Sequence, residues 1–168
     1  MVYSYQDDKK EMVKVTALFF GLLGALFAYS VIAASPVGTV IGITDGDTIT
    51  VMGEDHQPFK VRLADIDAPE GSQPYGKQSK KALSALIYKK TVRLEGDKVD
   101  RYGRRIARVY LDDLDVCAAM VEQGAAWVYR RYTKNPILYK AEAAAKADRR
   151  GLWKMKDPLP PWTWRHNR

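Results

Sequence analysis

Phe59-Lys60-Val61-Arg62-Leu63-Ala64-Asp65-Ile66-Asp67-Ala68-Pro69-Glu70 begins as a strand and ends as a charged loop. Over residues 59–63 apolar and basic side chains alternate strictly. Successive side chains of a strand point to opposite faces, so Phe59, Val61 and Leu63 share a core face and Lys60 and Arg62 share the other. An arginine on the outer face of a strand is ordinarily solvated surface. Here an Asp-rich loop follows within a few residues, and that makes Arg62 a candidate for more than solubility.

Working outward, the neighbouring segments read as short strands as well. Residues 37–44 are rich in Val, Ile, Gly and Thr, Asp45-Gly46 is a turn signal, and residues 47–52 form the next strand. Residues 53–58 are a polar hairpin connection. Downstream, residues 74–90 place Ala82, Leu83, Leu86 and Ile87 at helical spacing. Strands are expected over 91–95 and 104–111, joined by a polar loop over 96–103. Asp115 can cap a helix ending at Gln123, with Gly124 as a left-handed stop. Asn135-Pro136 opens a last helix that runs to Arg149-Arg150. Five short strands with a helix before the fourth, and three helices in all, fit a β-rich α+β domain built on a small closed Greek-key barrel. The Pro- and Trp-rich tail after residue 155 either packs back over the barrel or lies as a loose surface strand.

The chain has 168 residues and a formal net charge of +7. Lys9, Lys10 and Lys14 are cancelled by Asp7, Asp8 and Glu11, so the residues after 34 carry the whole excess. Such a domain attracts polyanions, nucleic acid or anionic membrane among them. The single cysteine, Cys117, excludes an intrachain disulfide framework and a zinc site built on paired cysteines; its apolar helical setting reads as packing. His56 and His166 both lie in polar surroundings, which directs attention away from histidine-base catalysis and toward carboxylates, arginines or metal.

Residues 15–34, VTALFFGLLGALFAYSVIAA, contain no charge. As a helix they would span roughly 30 Å, enough for a bilayer core. Their length favours an anchor, whereas Ile32-Ala33-Ala34-Ser35 offers cleavage sites of a signal peptide. A start at Met12 would place a short basic region directly before the apolar run. Under either reading the positive charge lies on the amino-terminal side, so the remainder is expected outside the cytoplasm, in the periplasm or the medium. The expected organisation is a signal peptide or anchor over 1–35, the barrel domain over 36–155 and the tail over 156–168, with membrane contact only through residues 15–34 if they are not cut.

Three polar clusters stand out: Asp45-Gly46-Asp47-Thr48, the loop ending at Glu70, and Asp100-Arg101-Tyr102-Gly103-Arg104-Arg105. Hard divalent cations take oxygen ligands, which closely set aspartates provide. Paired arginines grip phosphate through forked, charge-assisted hydrogen bonds. A glutamate can take a proton from water. These parts suit metal-assisted phosphodiester hydrolysis. Singly, each cluster could also be a plain turn, a helix entry or a solvated hairpin loop, and Tyr102, Tyr129 and Tyr132 could be ordinary packing residues.

In this order, the segments Asp45-Gly46-Asp47-Thr48, Val61 through Glu70, Asp100-Arg101-Tyr102-Gly103-Arg104, Gln123-Gly124-Ala125-Ala126 and Gly151-Leu152-Trp153 resemble the staphylococcal nuclease (thermonuclease, micrococcal nuclease) family over residues 38–153. The resemblance implies an OB-fold barrel with three helices and a Ca2+-dependent nuclease that attacks DNA and RNA and leaves 3′-phosphates, expected as a monomer. By position, Asp47 and Asp67 match the calcium carboxylates, and Ala68 stands where the family has a threonine that offers its backbone carbonyl. Glu70 matches the general base, and Arg62 and Arg104 the two phosphate arginines. Arg101, Tyr102 and Tyr132 match positions on the nucleotide side. The loop after Glu70 is shorter and less lysine-rich than in well-known members, which bears on substrate grip. A non-catalytic nucleic-acid-binding barrel is the alternative reading, but such a module would be expected to lack Glu70, Arg62 or the aspartates. A membrane-anchored interaction protein is a third, and it leaves the charged clusters unexplained.

Overall fold

A computed structural model describes residues 36–167. Its strands are β1 (Val37–Ile43), β2 (Thr48–Met52), β3 (Pro58–Leu63), β4 (Ile66–Asp67), β5 (Thr91–Val99), β6 (Arg105–Leu111), β7 (Leu114–Asp115) and β8 (Trp127–Val128). β1 pairs antiparallel with β2 and β5, β2 with β3, and β5 with β6. The parallel pairing of β3 with β6, Val61 opposite Arg105 and Leu63 opposite Ala107, closes these five strands into a barrel. Closure removes the sheet edges that an open five-stranded sheet would expose. The alternation in β3 is borne out: Val61 and Leu63 are buried in the core with Ile49, Val51, Val92, Leu94 and Val109, while Lys60 is exposed.

Helix α1 (Gly76–Ile87) buries Ser79, Leu83 and Ile87, one side of the helix, as its spacing requires. Helix α2 (Val116–Glu122) is capped by the Asp115 carboxylate, which accepts from the Ala118 N–H at 3.1 Å. Gly124 beyond it has φ 65°, the left-handed stop expected there. Helix α3 (Pro136–Ala147) is capped by Asn135, which accepts from the Ile137 N–H at 2.9 Å, and carries proline in its first turn. Cys117 is fully buried and its thiol is pushed up to about 12 by burial, which suits a packing residue.

Two expectations need correction. The loop expected over 96–103 is shorter, because β5 continues to Val99 through a register shift between Glu95 and Lys98. Residues 95–99 are all exposed, so no apolar alternation marks them as strand. The count of three helices is also too low: a 3-10 turn (Gly151–Lys154) and a further helix α4 (Pro161–His166) follow α3. Of the two readings left open for the tail, packing back holds, as a helix. Trp162 of α4 lies parallel to the Tyr129 ring at 5.5 Å and edge-on to Trp127 at 5.8 Å, and Trp127 meets Trp153 at 4.3 Å. Aromatic burial of this kind holds a short helix that could not persist alone. The apolar run at residues 15–34 lies outside the described residues; among those described, no helix is long and apolar enough to cross a membrane.

Candidate active site

Asp47 enters β2 from the Asp45-Gly46 turn, its N–H donating to Asp45 Oδ1 at 3.0 Å. A Cβ on Gly46 would lie 1.8 Å from Ser79 Oγ and 2.7 Å from Ala68 Cβ, so only glycine lets this turn press against α1 and the loop after β4. The closeness brings the Ala68 N–H to Asp47 Oδ2 at 2.6 Å, while Asp47 Oδ1 accepts from the Thr48 hydroxyl at 3.1 Å. Asp67, on β4, is 1% exposed and Asp47 is 4% exposed. Arg62 joins the two: its Nη2 lies 3.1 Å from Asp47 Oδ2 and 2.8 Å from Asp67 Oδ1. Its Nη1 donates to the carbonyls of Leu63 and Ile66 at 2.8 and 2.9 Å, which fixes the loop between β3 and β4. The outer-face arginine of the alternating strand is thus the centre of a buried charge cluster.

Burial pushes the Asp47 carboxyl up to about 7; Arg62 and the Ala68 N–H oppose that rise, and Asp45 and Asp67 add to it. More negative charge gathers here than Arg62 compensates. Two buried carboxylates are hard oxygen donors and fit a hard divalent cation. Among the described residues no group of three or more His, Cys, Asp or Glu side chains forms a metal cluster. Asp47 and Asp67 are the buried carboxylates a cation here would meet, with Ala68 held against Asp47 through its N–H.

Arg104 approaches from the hairpin between β5 and β6. Its Nε and Nη2 each lie 2.8 Å from Asp100 Oδ2, and its N–H donates to Asp100 Oδ1 at 3.0 Å. Its Nη1 reaches the Thr48 hydroxyl at 3.4 Å, linking it to the oxygen that bonds Asp47. Tyr102 beside it is exposed; Arg101 donates to its hydroxyl at 2.7 Å, and the guanidinium carbons of Arg101 and Arg104 lie 4.8 and 5.3 Å from its ring centroid. Tyr132 is also exposed, but its ring contacts are Tyr129 at 4.8 Å and Arg131 at 5.8 Å, not the carboxylate cluster.

Glu70 follows Pro69 in the loop leading to α1. Its N–H donates to Gln73 Oε1 at 3.1 Å, and the Gln73 side chain in turn donates to the Leu159 carbonyl at 2.6 Å, tying this loop to the tail. The Glu70 carboxylate is joined to Asp67 by a residue that sequence reasoning missed, Arg165 of α4. Arg165 Nη1 lies 2.6 Å from Glu70 Oε1 and 3.2 Å from Asp67 Oδ1, and its Nη2 lies 2.7 Å from Asp67 Oδ2. These bonds, to Asp67 first and then to Glu70, push the Arg165 pKa above even the usual arginine range, against the opposing effect of burial. The structure therefore brings Asp47, Arg62, Asp67, Ala68, Glu70 and Arg104 into one connected network and leaves Tyr132 outside it.

A family model described as "Staphylococcal nuclease homologue" matches residues 60–155, which include Arg62, Asp67, Glu70 and Arg104. An uncharacterized endonuclease of Escherichia coli O157:H7 is 42% identical over 144 residues, covering 85% of this chain and 94% of the relative. An uncharacterized endonuclease of Haemophilus influenzae is 46% identical over 126 residues, 75% of this chain and 71% of the relative. A micrococcal nuclease of Shigella flexneri is 39% identical over 139 residues, 76% of this chain and 79% of the relative. With a closed barrel, a family model over residues 60–155 and relatives of this likeness along most of its length, the chain belongs to the staphylococcal nuclease family.

Proposed function

We propose that this chain is an exported nuclease that uses Ca2+ to hydrolyse DNA and RNA and leaves 3′-phosphates. Hydrolytic nuclease activity follows from its family; the metal, the products, the export and the role of each residue are our reading. One observation carries the site assignment. A single arginine nitrogen, Arg62 Nη2, draws together the carboxylates of Asp47, just before β2, and Asp67, on β4, with Glu70 three residues beyond Asp67. Asp47, Asp67 and Glu70 share two guanidiniums, those of Arg62 and Arg165, so the carboxylates outnumber their partners by one and a further cation would offset the excess.

A calcium ion, when bound by Asp47, Asp67 and the Ala68 carbonyl, would supply positive charge at the scissile phosphate. Arg62 and Arg104 carry the fixed positive charge that grips the phosphate and offsets the charge gained in the transition state. Glu70 takes a proton from the attacking water. The new bond forms between water oxygen and phosphorus, the bond from phosphorus to the 5′-oxygen breaks, and that oxygen takes a proton from solvent water while the phosphate stays on the 3′ side. Arg104 also stabilises the departing oxygen. Arg101 and the exposed face of Tyr102 extend the same edge toward the nucleotide. Net charge of +7 favours a polyanionic substrate.

Export rests on the uncharged run at residues 15–34. Digestion of plasmid DNA and of RNA by the purified chain, with calcium and then with chelator, tests the reaction. Cleavage only with calcium, and ends that require phosphatase before 3′ extension, are expected. Cleavage that persists in chelator sinks the metal assignment, and tight nucleic-acid binding without cleavage in either condition marks a binding module. Amino-terminal sequencing of protein recovered outside the cytoplasm tests export: a start near Ser35 means release, an intact apolar run means anchoring, and retention of the chain in the cytoplasm refutes it.

A further inference from the structure

Arg165 lies 98 residues from Asp67 in sequence, yet it is the group nearest to neutralising that side chain besides Arg62. Its position is built by several contacts. Trp162 is held against Tyr129 and Trp127, and the Gln73 amide grips the Leu159 carbonyl just before the helix. The α4 helix then delivers the guanidinium onto both oxygens of Asp67 and onto Glu70. Asp67 is 1% exposed, so the pair is formed where solvent screens it little.

We propose that Arg165 is a tethered cation that competes with the metal ion for Asp67, so that the C-terminal helix sets the calcium concentration at which the site fills. This rests on Asp47 and Asp67 being the metal carboxylates. Asp67 Oδ1 accepts from Arg62 and Arg165, and Oδ2 accepts from Arg165. Both Asp67 oxygens already accept from Arg165, so a cation at Asp67 shares that carboxylate with it, and a divalent ion and a guanidinium on adjacent oxygens repel each other. Arg165 is half exposed and can swing outward without opening the core. The affinity of the site is then reduced by the fraction of molecules in which Arg165 occupies Asp67. The Arg165 contact to Glu70 has the same origin: one guanidinium covers both the metal ligand and the group assigned as base, and both are uncovered together.

The test is calorimetric titration of the full chain with calcium chloride alone, without substrate, for the wild type, Arg165→Gln and Arg165→Lys. Arg165→Gln is expected to bind calcium about tenfold more tightly, in line with the loss of a charge-assisted bidentate competitor, and Arg165→Lys to fall between the two. Thermal melts provide the second readout: in chelator Arg165→Gln melts below the wild type, and in saturating calcium the gap closes or reverses. Equal or weaker calcium binding by Arg165→Gln, with wild-type binding intact, overturns the competition. Absence of calcium binding in both wild type and variant overturns the metal reading beneath it.

Discussion

Replacing Arg62 by glutamine removes the charge shared by two buried carboxylates, and the structure sets both the size and the pH dependence of the loss. The Arg62 side chain is 14% exposed, and those of Asp47 and Asp67 are 6% and 1% exposed. Breaking a buried pair from one side costs about 3–5 kcal/mol. Asp67 keeps Arg165, and Asp47 can take a proton, so the low end applies, about 3 kcal/mol at pH 8. The sign of the pH dependence follows from Asp47. Its carboxyl sits at about 7 in the folded chain against an ordinary 3.8. Folding therefore favours its neutral form; that contribution is fully present below pH 3.8 and is lost as pH rises through about 7. Over that window it amounts to something on the order of 4 kcal/mol. Arg62 opposes the rise, so its removal drives the Asp47 pKa higher and makes the ionised form costlier still. At pH 5 Asp47 is neutral with or without Arg62, and the remaining deficit is that of the lost bonds to Asp67 and to the Leu63 and Ile66 carbonyls, about 1–2 kcal/mol. Thermal unfolding followed by circular dichroism in chelator reads this as a drop in Tm of about 10 °C at pH 8 and about half that at pH 5. A deficit that is equal at the two pH values, or larger at pH 5, would refute the assignment of Arg62 as the counter-charge of Asp47.

Two further substitutions separate chemistry from architecture. Glu70→Gln is expected to slow cleavage by orders of magnitude while DNA affinity, measured in calcium by fluorescence anisotropy, stays within a few-fold; near-normal turnover removes Glu70 from the base role. Gly46→Ala places a methyl group against the Ser79 hydroxyl and Ala68, and is expected to cost about 2 kcal/mol or more in denaturant unfolding while weakening calcium binding by displacing Asp47. A neutral Gly46→Ala variant contradicts the close packing of that turn on α1.

How far the residues announced the fold varies from element to element. Val61 and Leu63 were legible because a strand with one buried face alternates, and Asn135-Pro136 because capping is local chemistry. The extension of β5 to Val99 was not, since residues exposed on both faces leave no periodicity to read. Asp47, Asp67, Glu70, Arg62 and Arg104 stand out because their ordered motifs resemble a known family, and the structure brings them together; composition alone leaves each cluster a plausible turn or solvated loop. Arg165 had no such signal. It reaches Glu70 across 95 residues from a helix of six, carried there by tertiary contacts such as Trp162 on Tyr129 and Trp127 and Gln73 on the Leu159 carbonyl. Glu142 was invisible for a similar reason. In an alanine-rich helix it reads as a surface residue, yet it is buried, accepting from the Val128 N–H at 3.0 Å and paired with Arg130 and Lys146.

If hydrolysis runs through a cation held by the buried aspartates, the calcium dependence of plasmid cleavage separates the wild type from Asp67→Asn. The wild type is expected to show a saturable rise in rate with calcium and no cleavage in chelator. Asp67→Asn should fall by orders of magnitude at the calcium concentration that saturates the wild type, while its fold, followed by circular dichroism, is retained. Equal rates for the two proteins across the titration, or wild-type cleavage that continues unchanged in chelator, would contradict it.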